Sequence, residues 1–239
     1  AERYKQEILN EMPEVDAVVG IGENRNICEI VTKVLKDESF GQFSDKNNLL
    51  MDADRILTTP NYTAYLRIAD GCDNCCTYCA IPKIRGSFRS REMENVLAEA
   101  KSLAENGAKE IILIAQDTTR YGEDLYGELK LPELLDELNK LENLQWIRLL
   151  YCYPERITDE LIEEIANNPK VCKYFDIPIQ HLNNKMLKDM NRHDTKELIY
   201  DRIARIKELC PDAILRTTCI VGFPGETEEE FEELLDGVK

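Results

Sequence analysis

The chain has 239 residues, 43% of them hydrophobic, and a formal net charge of −16. That much apolar material fills a core and excludes wholesale disorder, and no apolar run reaches membrane-span length or reads as a signal peptide. So acidic a chain is a poor general binder of polyanions, because neutralising phosphates takes Lys and Arg; a local basic patch or a basic protein partner stays compatible with it.

In chain order, residues 2–12 carry a helical pattern. Residues 15–21 form a short apolar strand ending in Gly20 and Gly22, which reads as a tight strand-to-helix turn because the third glycine of a nucleotide loop is missing. Ile27, Ile30, Val31, Val34 and Leu35 fall on one face of an amphipathic helix. Residues 37–60 are polar and irregular and read as a linker. Residues 1–58 therefore look like the tail of a small α/β domain, followed by a larger unit over 59–239. The first residue is not Met, and the last follows an acidic helical pattern, so both ends are expected to be cuts through a longer protein.

From residue 61 strands and helices alternate. Strands are expected over 63–69, 111–116, 146–151, 174–179 and 214–222, and helices over 92–106, 131–141, 158–168, 195–209 and 226–236. Thr158 is a good helix start, and Thr227 with Glu230 has capping-box spacing. Such alternation implies parallel strands with right-handed crossovers. Five βα units make an open sheet or a partial barrel, since a closed eight-unit barrel needs roughly 250 residues. The fold class is α/β, a parallel partial (β/α) barrel preceded by the remnant of a smaller α/β domain.

Parallel βα folds place chemistry at the carboxyl ends of their strands. Here a Cys-rich loop, Gln116-Asp117-Thr118-Thr119, Cys152-Tyr153-Pro154, Gln180-His181 and Gly222-Phe223-Pro224-Gly225 follow the five strands in turn. Four of the nine cysteines lie between Cys72 and Cys79. Zinc would want a second ligand pair at finger spacing, and neither His181 nor His193 supplies it. A disulfide does not suit a chain whose layout points to a reduced compartment, so an iron–sulfur site fits best. Cys72, Cys76 and Cys79 are the preferred ligands, because Tyr78 then stands directly before the third; Cys72, Cys75 and Cys79 form the other register. Three thiolates leave one iron of a four-iron cluster without a protein ligand. Cys28, Cys152, Cys172, Cys210 and Cys219 are expected to be small hydrophobes in packed segments, with Cys152 noted for its place at a strand end.

Cys-x-x-x-Cys-x-aromatic-Cys on the first loop of a parallel α/β sheet resembles the radical S-adenosylmethionine superfamily. Arg67 to Asn74, Cys76 to Pro82, Arg85 to Arg91, Asp176 to His181 and Gly222 to Glu226 are similar to its methylthiotransferases. Ile114 to Gly122 looks most like the branch acting on an aspartate of a small-subunit ribosomal protein, with tRNA adenosine as the alternative substrate and a non-catalytic iron–sulfur or zinc module as the second alternative. The resemblance implies a 4Fe–4S cluster and S-adenosylmethionine, an external electron donor, a cytoplasmic setting and no membrane. It also implies a second 4Fe–4S cluster in the full-length protein only, on cysteines preceding residue 1, so that this fragment should not complete sulfur transfer. It places Asp117, with Gln116 beside it, on the methionyl amino group. Gln180 falls on the ribose hydroxyls, Gly222 at a close backbone approach, and Tyr78 beside the cluster. Lys83, Arg85, Arg89 and Arg91 form a basic island that could hold a carboxylate, an acidic substrate or another domain, or simply face solvent. His181 and His193 carry no proton role in this reading.

Overall fold

The computed structural model describes residues 3–36, 40–48, 52, 55–58 and 60–239. Its first part runs helix α1 (Gln6–Glu11), strand β1 (Ala17–Val19), a 3-10 turn over Ile21–Asn26, helix α2 (Ile27–Val34) and strand β2 (Phe40–Gln42). β1 and β2 pair in parallel with Val18 opposite Gly41. The linker expected over 37–60 is corrected by β2. Its three residues carry no alternation of their own; the pairing with β1 and the Gly20 N–H donated to Gln42 O define it. Cys28, expected to be packed, is exposed, because it lies two positions from buried Ile30 and so on another side of α2.

The larger part comprises β3 (Thr63–Arg67), β4 (Ala69–Asp70), α3 (Ile81–Arg85), β5 (Arg89–Ser90), α4 (Met93–Glu105), β6 (Glu110–Ile114), α5 (Glu123–Tyr126) and α6 (Leu131–Asn139). It continues with β7 (Trp146–Leu149), α7 (Asp159–Asn167), β8 (Tyr174–Asp176), α8 (Asn184–Asp189), α9 (Lys196–Leu209), β9 (Ile214–Arg216) and α10 (Glu228–Gly237). β3, β6 and β7 pair in parallel, with Leu66 opposite Leu113 and Leu113 opposite Leu149. Beyond β7, the Cys172 N–H donates to Ile147 O and the Cys152 N–H to Asp176 O, both at 2.8 Å, and carry the sheet to β8. β8 then pairs in parallel with β9. Spatial order thus follows chain order, the singly wound arrangement of a barrel rather than the reversal of a doubly wound sheet.

β6 reads Glu-Ile-Ile-Leu-Ile with its three central residues buried, as suits a parallel strand covered on both faces. Helices α4, α6, α7 and α9 pack in that order, each against the next. Leu66, Ile111, Ile147 and Phe175 from the strands and Val96, Leu135, Ile162, Ile199 and Ile206 from the helices share one buried core. Among the described residues no helix is long and apolar enough to cross a membrane.

The helix starts follow the capping residues. Thr158 and Thr195 accept from the N–H groups of Leu161 and Leu198. At α10 the Thr227 hydroxyl accepts from the Glu230 N–H while the Glu230 carboxylate accepts from the Thr227 N–H, the full capping box. Thr227→Ala is expected to cost about 1 kcal/mol of stability, read from the midpoint of urea unfolding. Helix α8 was not anticipated. It is one and a half turns long, and Asn183, accepting from the Lys185 and Met186 N–H groups, starts it.

Candidate functional site

A cavity of about 700 Å³ opens where the strands end. The first unit contributes Arg67, Cys72, Cys76, Tyr78 and Cys79, the second Ala115 and Gln116, the third Tyr151 and Tyr153, the fourth Pro178 and Gln180, the fifth Thr218. Four of the five expected strand ends therefore meet on one face, while the fifth unit contributes Thr218 in place of the expected Gly222-Phe223-Pro224-Gly225. Arg192, which follows α8, closes one side.

The Cys loop is shaped by its backbone. Gly71 has φ +79°, and a Cβ there would lie 2.0 Å from Ser87 O, so only glycine lets the chain turn out of β4 against β5. Asp70, wholly buried, accepts from the Gly71 N–H at 2.7 Å and from Arg67 and Arg85. The far side of the loop is fastened to the end of α8. The Thr77 N–H donates to Met190 O, the Thr77 hydroxyl to Asp189 O, and the Asn191 amide to Cys75 O at 3.1 Å. Cys72, Cys76 and Cys79 line the cavity, whereas Cys75 is exposed and absent from its wall. Burial pushes the Cys72 thiol up to about 11, so metal uptake there must displace a proton.

Four non-glycine residues with positive φ ring this face: Cys75 at 51°, Tyr151 at 60°, Gln180 at 65° and Asn191 at 54°. Each gives up roughly 1–2 kcal/mol of backbone preference, and such residues concentrate where geometry is fixed for function. At Gln180 the conformation is held by its N–H donating to Thr218 O and its carbonyl accepting from the Ile220 N–H.

Gln116 and Asp117, adjacent in sequence, part company. Gln116 faces the cavity and its Oε1 is buried without a partner. Asp117 is buried behind the wall as the cap of a 3-10 turn over Thr118–Arg120. Its carboxylate accepts from the Thr119 hydroxyl at 2.6 Å and from Arg156 at 3.3 Å. Burial pushes this carboxyl above its ordinary range, against those partners. Cys152 is buried, and desolvation pushes its thiol up to about 12, an inert packed group. Gly222, with φ +74°, lies outside the cavity with open space around it. Its N–H donates to Glu226, whose other carboxylate oxygen meets His181 Nε2 at 3.0 Å; His181 Nδ1 accepts from the Asn183 N–H, which puts the ring proton on Nε2. His181 thereby ties the fourth strand end to the fifth, while His193 is exposed.

The arginines of the basic island find partners within the chain, while Lys83 stays exposed. Arg91 is buried against Asp52 and Glu99, Arg89 donates to the carbonyls of Arg85 and Ser87, and Arg85 alone of the three reaches the cavity wall. Sequence reasoning missed Tyr153, Arg192 and Asn191 as parts of the site. The last two follow an unforeseen helix, and only Tyr153, within a flagged strand-end tripeptide, left a trace.

These donors fit an iron–sulfur cluster. Among the described residues no group of three or more His, Cys, Asp or Glu side chains is already placed to hold a metal ion. Cys72, Cys76 and Cys79 line one cavity, and thiolates are the donors a cubane takes, one for each of three irons. The neighbouring unpartnered amide oxygen suits an ammonium donor.

The chain is 52% identical over 241 residues to the ribosomal protein uS12 methylthiotransferase RimO of Thermoanaerobacter sp. (strain X514), covering 100% of this chain and 55% of that one. It is 51% identical over 240 residues to the same-named protein of Clostridioides difficile (strain 630), covering 100% and 54%. The chain thus spans about half the length of the curated relatives it matches. Among solved structures, the radical S-adenosylmethionine methyltransferase TsrM from Kitasatospora setae superposes with a TM-score of 0.66 at 17% identity, over 92% of this chain and 49% of that one, which shows the shared fold. The model of the radical SAM superfamily matches residues 66–238, from within β3 through the cysteine loop to the end of α10, and the chain belongs to that superfamily.

Proposed function

We propose that the chain is the catalytic core of a methylthiotransferase that places a methylthio group on the β-carbon of an aspartate in ribosomal protein uS12. The observation that carries this reading is the convergence of three thiols and the unpartnered Gln116 Oε1 on one cavity at the ends of five parallel strands. Similarity to the uS12 enzymes over the full length of the chain supports the choice of substrate.

In this reading Cys72, Cys76 and Cys79 hold a 4Fe–4S cluster and the cavity takes S-adenosylmethionine. When bound, the two supply one-electron cleavage of the sulfonium, with the electron from an external reductant. The chain's own residues bind and orient. Gln116 Oε1 accepts from the methionyl ammonium, and the Gln180 amide, able to donate and accept, meets the ribose hydroxyls. Arg85, steadied by buried Asp70, brings positive charge for a carboxylate. Tyr78 walls the site beside the third thiol. Asp117 acts from behind by fixing the turn that presents Gln116.

Anaerobic reconstitution with iron and sulfide, followed by S-adenosylmethionine and dithionite, tests the reading. 5′-Deoxyadenosine is expected; its absence from a sample with a well-formed cluster overturns it. Gln116→Ala should weaken S-adenosylmethionine binding about tenfold, the worth of one hydrogen bond near 1.4 kcal/mol, with little change in melting temperature. Asp117→Ala should instead lower stability by about 1–3 kcal/mol, since it strips partners from buried groups. For the substrate, a chain of the relatives' full length is offered uS12 and tRNA separately; a mass gain on tRNA alone refutes the uS12 assignment.

A further inference from the structure

The Tyr153 hydroxyl lies 3.4 Å from Cys76 Sγ. Tyr153 is only 6% exposed, and its ring carries the Arg192 guanidinium 4.1 Å from the centroid. Arg192 is itself buried and bound through Nε, at 2.7 Å, and Nη2 to buried Asp194. The stack therefore runs from a sulfur through a phenol to a fixed cation. Between a thiol and a phenol either group can donate. A thiolate bound to iron has no proton left, so the phenol becomes the only donor of the pair.

We infer that Tyr153, clamped by Arg192, is a positioning residue that donates a hydrogen bond to the Cys76 sulfur and raises the reduction potential of the cluster. This rests on the cluster assignment proposed above. One-electron reduction puts more negative charge on the irons and their sulfurs. A donor and a nearby cation stabilise that electron-rich state more than the oxidised one. Tyr78, beside the third thiol, is 39% exposed, so water competes for its hydroxyl and Tyr153 dominates.

The test compares the native chain with Tyr153→Phe, which keeps the ring under Arg192 and removes only the hydroxyl. Both are reconstituted anaerobically and titrated with mediators while the reduced cluster is followed by electron paramagnetic resonance. Equal iron content is expected, with the midpoint of the variant more negative by about a tenfold change in the oxidised-to-reduced ratio, ~59 mV for one electron. An unchanged or higher midpoint overturns the inference. Pulsed spectra in deuterium oxide give a second readout. A coupled exchangeable deuteron present in the native chain and lost in Tyr153→Phe supports the bond, and identical spectra refute it. A native chain that takes up no cluster sinks the proposed function as well, whereas a cluster with equal midpoints in both chains sinks only the role of Tyr153.

Discussion

Cys76→Ala is expected to abolish cluster uptake, from about four irons per chain to near none, while Cys75→Ala leaves uptake at the native level. The two cysteines are neighbours in sequence but not in environment. Cys76 lines the cavity with Cys72 and Cys79 and lies under the Tyr153 hydroxyl. Cys75 is exposed, holds a left-handed backbone at φ 51°, and engages the fold through its carbonyl, which accepts from Asn191. Alanine at 75 keeps that carbonyl and removes only an exposed thiol. Alanine at 76 leaves a cubane with two protein ligands where it needs three. Iron and acid-labile sulfide counted after anaerobic desalting decide the matter. Retained iron in Cys76→Ala, or lost iron in Cys75→Ala, would move the ligand to the alternative register.

The second large effect is expected at Gly71. Gly71→Ala should cost roughly 3 kcal/mol or more, combining left-handed strain with a steric clash against backbone. Gly222→Ala should cost only about 1 kcal/mol, because it carries the strain alone. Their φ angles are nearly equal, +79° and +74°, but their surroundings differ. A Cβ on Gly71 would sit 2.0 Å from Ser87 O and 2.8 Å from Gly86 O, atoms that cannot rotate away, whereas nothing lies within 4 Å of one on Gly222. Relief at position 71 must come from moving the cysteine loop off β5, so iron uptake should fall along with stability. Chemical unfolding of both variants measures the contrast, and equal losses would mean that the clash is absorbed elsewhere.

Much of the barrel was legible because its strands and helices carry periodic apolar patterns. β6 is nearly continuous Ile and Leu, and the caps at Thr158 and Thr227 mark helix starts by local chemistry. The pieces that escaped are short and set by partners far away in sequence. β2 exists through β1, and α8 is too brief to show a period. At the site, the cysteines and Gln116 announce themselves by residue type and by place after a strand. The burial of Asp117 does not, since adjacent polar residues at a turn read alike until tertiary packing turns one inward. Arg192 was invisible for the same reason: nothing local says that its charge ends on the ring of Tyr153, some forty positions earlier. The basic island misled in the opposite direction, because Arg91 meets its carboxylates only in the folded chain.

The fastening of Thr77 to Asp189 O joins residues 112 positions apart. Contacts of that span form late, because a long loop must close before they return any stabilisation. A ribosome adding 5–20 residues per second makes residue 189 roughly 6–22 s after residue 77. Throughout that interval the three thiols are already outside the peptidyl-transferase centre but lack the turn that will pin their loop. Under the proposed function, the barrel must therefore close through its fourth unit before the loop of Cys72, Cys76 and Cys79 is pinned for a cluster.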